Sequence, residues 1–507
     1  MPTLREKIAR LIMVRCGSNL PPIRFAHEDE QRIGEYVDAG LIGGVLLFNG
    51  VWPETAEALA RLKARSAWPL LVASDLERGA GQQMRGLSIF PHARGVAAAN
   101  NPLKAVAELA TSTAREALAA GIDIAFAPVA DVNTDPRNPI IAIRAFADEP
   151  ERAAELVEAY VRAGEAAGLR TTAKHFPGHG DTHQDSHESL PKVEQSAATL
   201  RERELVPFRA AISAGVSLIM TAHVAYPALD PTGTPATLSA PILTTLLREE
   251  LGFTGVCCSD SLLMAGVRDL FADEGALAVA TLKAGVDLLL DIADPLLAIT
   301  AIERAVETGE LSLARVDEAF ARVEALARNS HAEYNAALDA TPGRAAAEQI
   351  AREAVSIVPK SSGDEKLLGS NEKLLAVLFK PFHLPSDPVE QPFASAVREL
   401  GPQVEYIEFG PELHAHQRAR LDKLVASADR VVVAMIVKPA AWHAFGLAPE
   451  QRALVQHLIA QKPTLVASLG VAKALEEFPN ATAWVSVHSD VAASQRALAA
   501  ALRSLAS

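Results

Sequence analysis

The densest run of reactive side chains is KHFPGHGDTHQDSHESLP at 174–191, where His175, His179, His183 and His187 recur every four residues with Asp181 and Asp185 between them. On a helix that spacing would line the imidazoles along one face, as in a metal site. Pro177, Gly178 and Gly180 oppose a helix. The run therefore reads as a Gly/Pro loop in which the four-residue period has no geometric meaning. Within it, Asp185-Ser186-His187 lets a carboxylate fix one imidazole tautomer and raise its basicity, which suits a histidine for acid/base work near neutral pH. Standing alone, the pair reads as a solvated polar loop.

GVCCSDSLLM (255–264) delivers Asp260 at the end of an apolar run, where a carboxylate can serve as nucleophile, helix N-cap or ligand acceptor. ASDLERGAGQQ (73–83) places Asp75 before a glycine-bearing loop, and DPRNPIIAIRAF (135–146) carries Arg144 in a Pro/Asn-rich one. Lys174 with His175, Asp131 and His223 also stand at the ends of apolar runs.

Those runs are short, apolar and β-branched, and segments of helical period separate them. They lie at 13–16, 43–48, 70–75, 123–132, 171–176, 217–223, 255–260 and 287–292. Eight strands, each followed by helix, predict a (β/α)8 barrel over residues 1–335, with the polar residues at the C-terminal strand ends where such barrels place their sites. A linker and connecting helix follow at 336–360, the helix spanning 343–358. Residues 361–507 predict a smaller three-layer α/β sandwich with strands at 373–379, 404–409, 430–437, 464–469 and 481–487. That part has neither GxGxxG nor GxxxxGK[ST]. In it KPAAWHAFG (438–446) offers Trp442 either for stacking on a sugar or for packing at a seam.

Composition narrows the function classes. The 507 residues carry 62 acidic and 48 basic side chains, a net charge of −14, which disfavours nucleic-acid and anionic-membrane partners. Cys16, Cys257 and Cys258 have no metal-ligand spacing and suggest no disulfide framework. The amphipathic start has no signal-peptide core, and no apolar run approaches about 18 residues. These features predict a soluble, cytoplasmic protein.

Taken together, the motifs resemble glycoside hydrolase family 3, in its β-N-acetylglucosaminidase branch. KHFPGHGDTHQDSH is similar to that branch's acid/base loop. FAPVADVN (126–133), MTAHVAYPALD (220–230), PATLS (235–239), LLREELGFTGV (246–256) and SDSLLM (259–264) resemble its other motifs. The resemblance implies that Asp260 is the nucleophile, His187 the acid/base and Asp185 its partner. It further implies that Asp75, Arg144, Lys174 and His175 bind the terminal sugar, with His223 nearby. The implied reaction is retaining exo-hydrolysis of terminal β-linked GlcNAc, for instance from cell-wall muropeptides, needing no metal or organic cofactor and no partner but the carbohydrate. Phosphorolysis, β-glucosidase activity and silent sugar binding remain alternatives, and oligomeric state is not legible. Two departures stand out: ERGAGQQMR lacks the arginine expected after the Asp75 motif, leaving Gln83 or Arg85 for its place, and IRAFADEP replaces the expected Arg-Ser-Phe-Gly.

Overall fold

A computed structural model describes residues 2–182, 190–360, 367–369, 372–382, 388–440 and 445–506. Asp185, His187, Trp442 and His443 lie outside the described residues. The chain forms two compact units, one of residues 1–89, 106–141 and 145–344, the other of 90–105, 142–144 and 345–507.

The first unit is the barrel. Its strands are β1 (Ile12–Cys16), β2 (Gly44–Leu47), β3 (Leu71–Ser74), β4 (Ile124–Ala125), β5 (Arg170–Phe176), β6 (Leu218–Thr221), β7 (Val256–Cys258) and β8 (Leu289–Leu290). They are parallel and lie in the order β8-β1-β2-β3-β4-β5-β6-β7. A parallel bridge between Cys258 and Leu288 closes the ring. Strand residues such as Val45, Leu47, Val72 and Ile219 are fully enclosed, as expected of parallel strands covered on both faces. Helices start at side-chain caps supplied by the intervening loops. Asp273, Asp294 and Ser312 each accept a backbone N–H from the first turn of the helix they precede.

The run at 123–132 makes a much shorter strand than its composition predicts. Only Ile124 and Ala125 join the ladder, because Pro128 has no N–H to donate, and the chain returns to β5 through a single bridge, Val129–Lys174. The segment stays bonded to β5, with the Ala127 and Pro128 carbonyls accepting the Thr172 and Lys174 N–H groups, and it brings Asp131 to His175.

The second unit is a six-stranded sheet of β9 (Ser356–Pro359), β10 (Leu374–Phe379), β11 (Val404–Phe409), β12 (Arg430–Met435), β13 (Thr464–Ser468) and β14 (Ala483–Ser486). The order is β9-β14-β13-β12-β10-β11. Alternation along β10 builds two cores. Leu374, Ala376 and Leu378 pack with Phe393, Val397, Leu498 and Leu502 from the helices Pro392–Arg398 and Ala492–Ala506. Leu375, Val377 and Phe379 pack with Leu421, Val425, Leu454 and Leu458 from the helices Ala415–Ser427 and Pro449–Gln461. This is the expected three-layer sandwich.

A second element differs from the sequence reading. The helix expected over 343–358 runs Thr341–Glu353, and Ser356–Pro359 instead pairs antiparallel with β14 at the sheet edge. Ile357 and Val358 are β-branched and suit an edge strand, where Pro359 is tolerated.

Candidate active site

Polar side chains converge at the C-terminal ends of the barrel strands. Lys174, near the end of β5, is 2% exposed and reaches across to the loop after β3, donating to Asp75 Oδ1 at 2.6 Å. It also pairs with Glu77 Oε1 at 2.8 Å. A buried ammonium is tolerated there because two carboxylates replace its water. Glu77 was not among the sequence candidates. Its signal was the Asp-x-Glu spacing, which sets both acids on one loop.

His175 is held by Asp131. The fully buried carboxylate accepts from His175 Nδ1 at 2.7 Å and from the backbone N–H groups of His175 and His179 at 3.2 and 2.7 Å. Burial opposes ionisation of Asp131, but His175 and His179 outweigh it and hold the carboxyl below its usual range. With Nδ1 committed to Asp131, Nε2 is the ring nitrogen left for a ligand.

The described start of the loop after β5, residues 177–182, is a turn and not a helix. A Cβ on Gly180 would sit 1.7 Å from the carbonyl oxygen of Val132, so only glycine lets the two loops touch. His179 Nδ1 lies 2.9 Å from Thr182 Oγ1. Arg203 clamps the loop stem, bonding Asp181 Oδ2 at 2.7 Å and Glu204 Oε1 at 2.6 Å. Among the described residues no group of three or more His, Cys, Asp or Glu side chains could hold a metal.

Asp260 follows β7 and stays partly exposed. Its Oδ1 accepts the Ser261 backbone N–H at 2.7 Å. Burial works against its charge, yet His223, His175, the Ser261 N–H and Lys174 outweigh it, so the carboxyl is held below the ordinary range. An ionised carboxylate with only one oxygen hydrogen-bonded among the described residues can attack an electrophilic carbon.

His223 is turned into the protein. Nδ1 lies 2.7 Å from Thr237 Oγ1 and Nε2 donates to the Ser261 carbonyl at 2.9 Å, which ties the MTAH and PATLS motifs to the segment after Asp260. Arg144 ends the 3-10 turn Ala142–Arg144, which clusters with the second unit. Gln83 accepts from Asn19 Nδ2 at 2.9 Å, and Arg85 donates to Asn49 Oδ1 at 3.0 Å while stacking on Phe25.

Comparison with known proteins concerns the family and the fold. The model for the glycosyl hydrolase family 3 N terminal domain matches residues 3–326. The chain is 36% identical over 281 residues to Beta-hexosaminidase A of Pseudoalteromonas piscicida, and the match spans 51% of this chain but about half, 47%, of that longer protein. It is 38% identical over 269 residues to the Beta-hexosaminidase of Pseudomonas aeruginosa (strain LESB58), covering 52% of this chain and 80% of that one. A glycoside hydrolase family 3 beta-N-acetylglucosaminidase from Paenibacillus sp. str. FPU-7 superposes over 100% of this chain and 97% of its own, with a TM-score of 0.89 and 29% identity. With a family model spanning the whole barrel, and with ionisable side chains gathered at its strand ends, the chain belongs to glycosyl hydrolase family 3.

Proposed function

We propose that this protein is a retaining exo-β-N-acetylglucosaminidase. The observation that carries the reading is Asp260: a carboxylate at a barrel strand end, held below its ordinary range by His223, His175, the Ser261 N–H and the Lys174 ammonium that Asp75 and Glu77 share. Its similarity to proteins called beta-hexosaminidases directs the substrate toward N-acetylhexosamine.

In this reading Asp75, Lys174, His175 and Arg144 bind the terminal sugar. An Asp carboxylate and a Lys ammonium together suit vicinal hydroxyls, which both donate and accept. Asp260 attacks the anomeric carbon as the glycosidic C–O bond breaks. His187, oriented by Asp185, gives its proton to the leaving oxygen, then takes one from the water that cleaves the glycosyl ester. Within the family reading the dyad takes the place of the second carboxylate usual in retaining enzymes. His223 supports the nucleophile segment through Ser261.

We extend the reading to GlcNAc-terminated cell-wall fragments in the cytoplasm. Cys16, Cys257 and Cys258 are buried free thiols, and burial pushes Cys16 and Cys257 up to about 12, which keeps them protonated. Among the described residues no helix is long and apolar enough to cross a membrane.

The test is hydrolysis of a chromogenic β-GlcNAc glycoside beside the matching β-glucoside. Preference for the N-acetyl substrate, with free GlcNAc released, supports the proposal. Preference for the glucoside, or GlcNAc 1-phosphate as the product in phosphate buffer, contradicts it.

A further inference from the structure

Asp291 follows β8, is 1% exposed and has φ +68°, a left-handed conformation that few residues other than glycine, asparagine and aspartate adopt readily. Its Oδ1 accepts Arg15 Nε, from β1, at 3.0 Å, and its Oδ2 accepts both Arg15 Nη2 and the hydroxyl of Ser261, the latter at 2.6 Å. Arg15 is itself braced over the Phe48 ring, 4.9 Å from its centroid. A buried carboxylate in an unusual backbone conformation, joined to the residue next to Asp260, marks a functional constraint.

Ser261 is held on several sides. Asp291 takes its hydroxyl, His223 Nε2 donates to its carbonyl, and its N–H points at Asp260 Oδ1. The flanking residues are stitched to β8 as well: Leu290 N–H donates to Ser259 Oγ at 3.0 Å and Leu262 N–H to the Leu290 carbonyl at 3.1 Å. The N–H, hydroxyl and carbonyl of Ser261 are thus each engaged, and its neighbours on both sides are bonded to β8.

We propose that Asp291, neutralised by Arg15, is a positioning residue for the nucleophile: by gripping Ser261 it keeps Asp260 Oδ1 hydrogen-bonded and dedicates Oδ2 to attack on the anomeric carbon. The inference rests on Asp260 being the nucleophile. Among the described residues Asp260 Oδ2 carries no hydrogen bond, so the two oxygens are already distinguished before substrate arrives. In the glycosylation step Oδ2 supplies the electron pair of the new ester bond, and the electrons of the broken glycosidic bond leave on the aglycone oxygen, which takes the acid's proton. Arg15 matters because a bare second carboxylate beside Asp260 would resist its charge. The ion pair lets Asp291 accept a hydrogen bond without that penalty.

The experiment measures glycosylation by single-turnover kinetics in Asp291→Gly, Ser261→Ala, their double variant and Asp291→Asn. Glycine accommodates the left-handed φ, so Asp291→Gly removes the side chain without forcing the backbone. Both single variants are expected to slow glycosylation on the order of 10²-fold with KM nearly unchanged. Because Asp291 acts through Ser261, the double variant is expected to be no slower than the worse single one. Asp291→Asn keeps an acceptor for the Ser261 hydroxyl and should recover at least about tenfold of the loss. A merely structural role predicts additive losses, altered KM and no recovery by asparagine, and that pattern overturns the proposal. So do singles within about twofold of wild type. Asp260→Gly with azide separates the premise from the inference. Rescue of the inactive variant as an α-glycosyl azide upholds the nucleophile, so a failed series then counts against Asp291 alone. A fully active Asp260→Gly removes both.

Discussion

The barrel mouth and the edge of the second unit's sheet use the same parts and wire them differently. At the sheet edge Lys380 pairs with Glu408 Oε1 at 2.7 Å, while Glu408 Oε2 takes the Tyr406 hydroxyl at 2.7 Å and the Gln391 N–H at 3.3 Å. Both oxygens of that carboxylate are engaged. At the barrel mouth one lysine is shared by Asp75 and Glu77, and Asp260 is kept ionised with only one oxygen bonded among the described residues. A carboxylate engaged at both oxygens at a strand end stabilises the fold. An ionised group hydrogen-bonded at one oxygen, with cationic and imidazole side chains around it, is arranged to react.

The difference is broken most sharply at Asp260. Asp260→Asn should cut kcat by at least about 10⁴-fold while the melting temperature stays within a few degrees, because it removes reactivity and little packing. Next comes the dyad. His187→Ala should lower kcat/KM for substrates with poor leaving groups by about 10²–10⁴-fold and barely change it for activated nitrophenyl glycosides, whose kcat falls instead because the glycosyl ester loses its base. Asp185→Ala should follow the same pattern more weakly. Equal losses across a leaving-group series would remove the acid/base role.

Lysine removal compares the two regions directly. Lys174→Met removes the ammonium shared by Asp75 and Glu77 and should cost about 3 kcal/mol of stability and raise KM. Lys380→Met strips Glu408 in the same way and should cost a similar amount by thermal melts, with kcat and KM unchanged. Kinetic damage from Lys380→Met would erase the distinction.

The smallest effect is a pH slope. Burial pushes the Glu204 carboxyl from an ordinary 4.5 up to about 7, against the pull of Arg203. The folded state thus holds that proton more tightly than the unfolded chain. Its stabilising effect is full below pH 4.5 and declines as pH rises to 7, a change of about 3 kcal/mol. Glu204→Gln should therefore flatten the melting temperature between pH 5 and 8, gaining most over wild type at pH 8. An unchanged slope contradicts the shift.

How much of this was legible follows from distance along the chain. The barrel strands are apolar runs ending in Asp, Lys or His, so local pattern sufficed to find them, and the sandwich followed from alternation in runs such as Leu374–Phe379. Pro128 shortened one strand, a local effect that the apolar run at 123–132 outweighed in the sequence reading. The edge strand Ser356–Pro359 was hidden because it continues the apolar rhythm of the helix before it, and only pairing with β14 decides its state. The site divides in the same way. Asp75, Lys174, His175 and Asp260 stand at strand ends, whereas the partnership of Arg15 and Asp291 joins residues 276 positions apart and appears only when the ring closes. Glu77 was passed over beside the more prominent Asp75, and the role of Ser261 depends on three partners from distant segments.

The proposed mechanism turns on a covalent bond between Asp260 and the sugar. Incubation with a 5-fluoro GlcNAc glycoside carrying an activated leaving group, followed by proteolysis and mass spectrometry, tests it most directly. The expected result is one added fluoro-GlcNAc mass, located on Asp260 and absent from Asp260→Asn. A label on another carboxylate, or steady turnover with an inverted product anomer and no adduct, would contradict it.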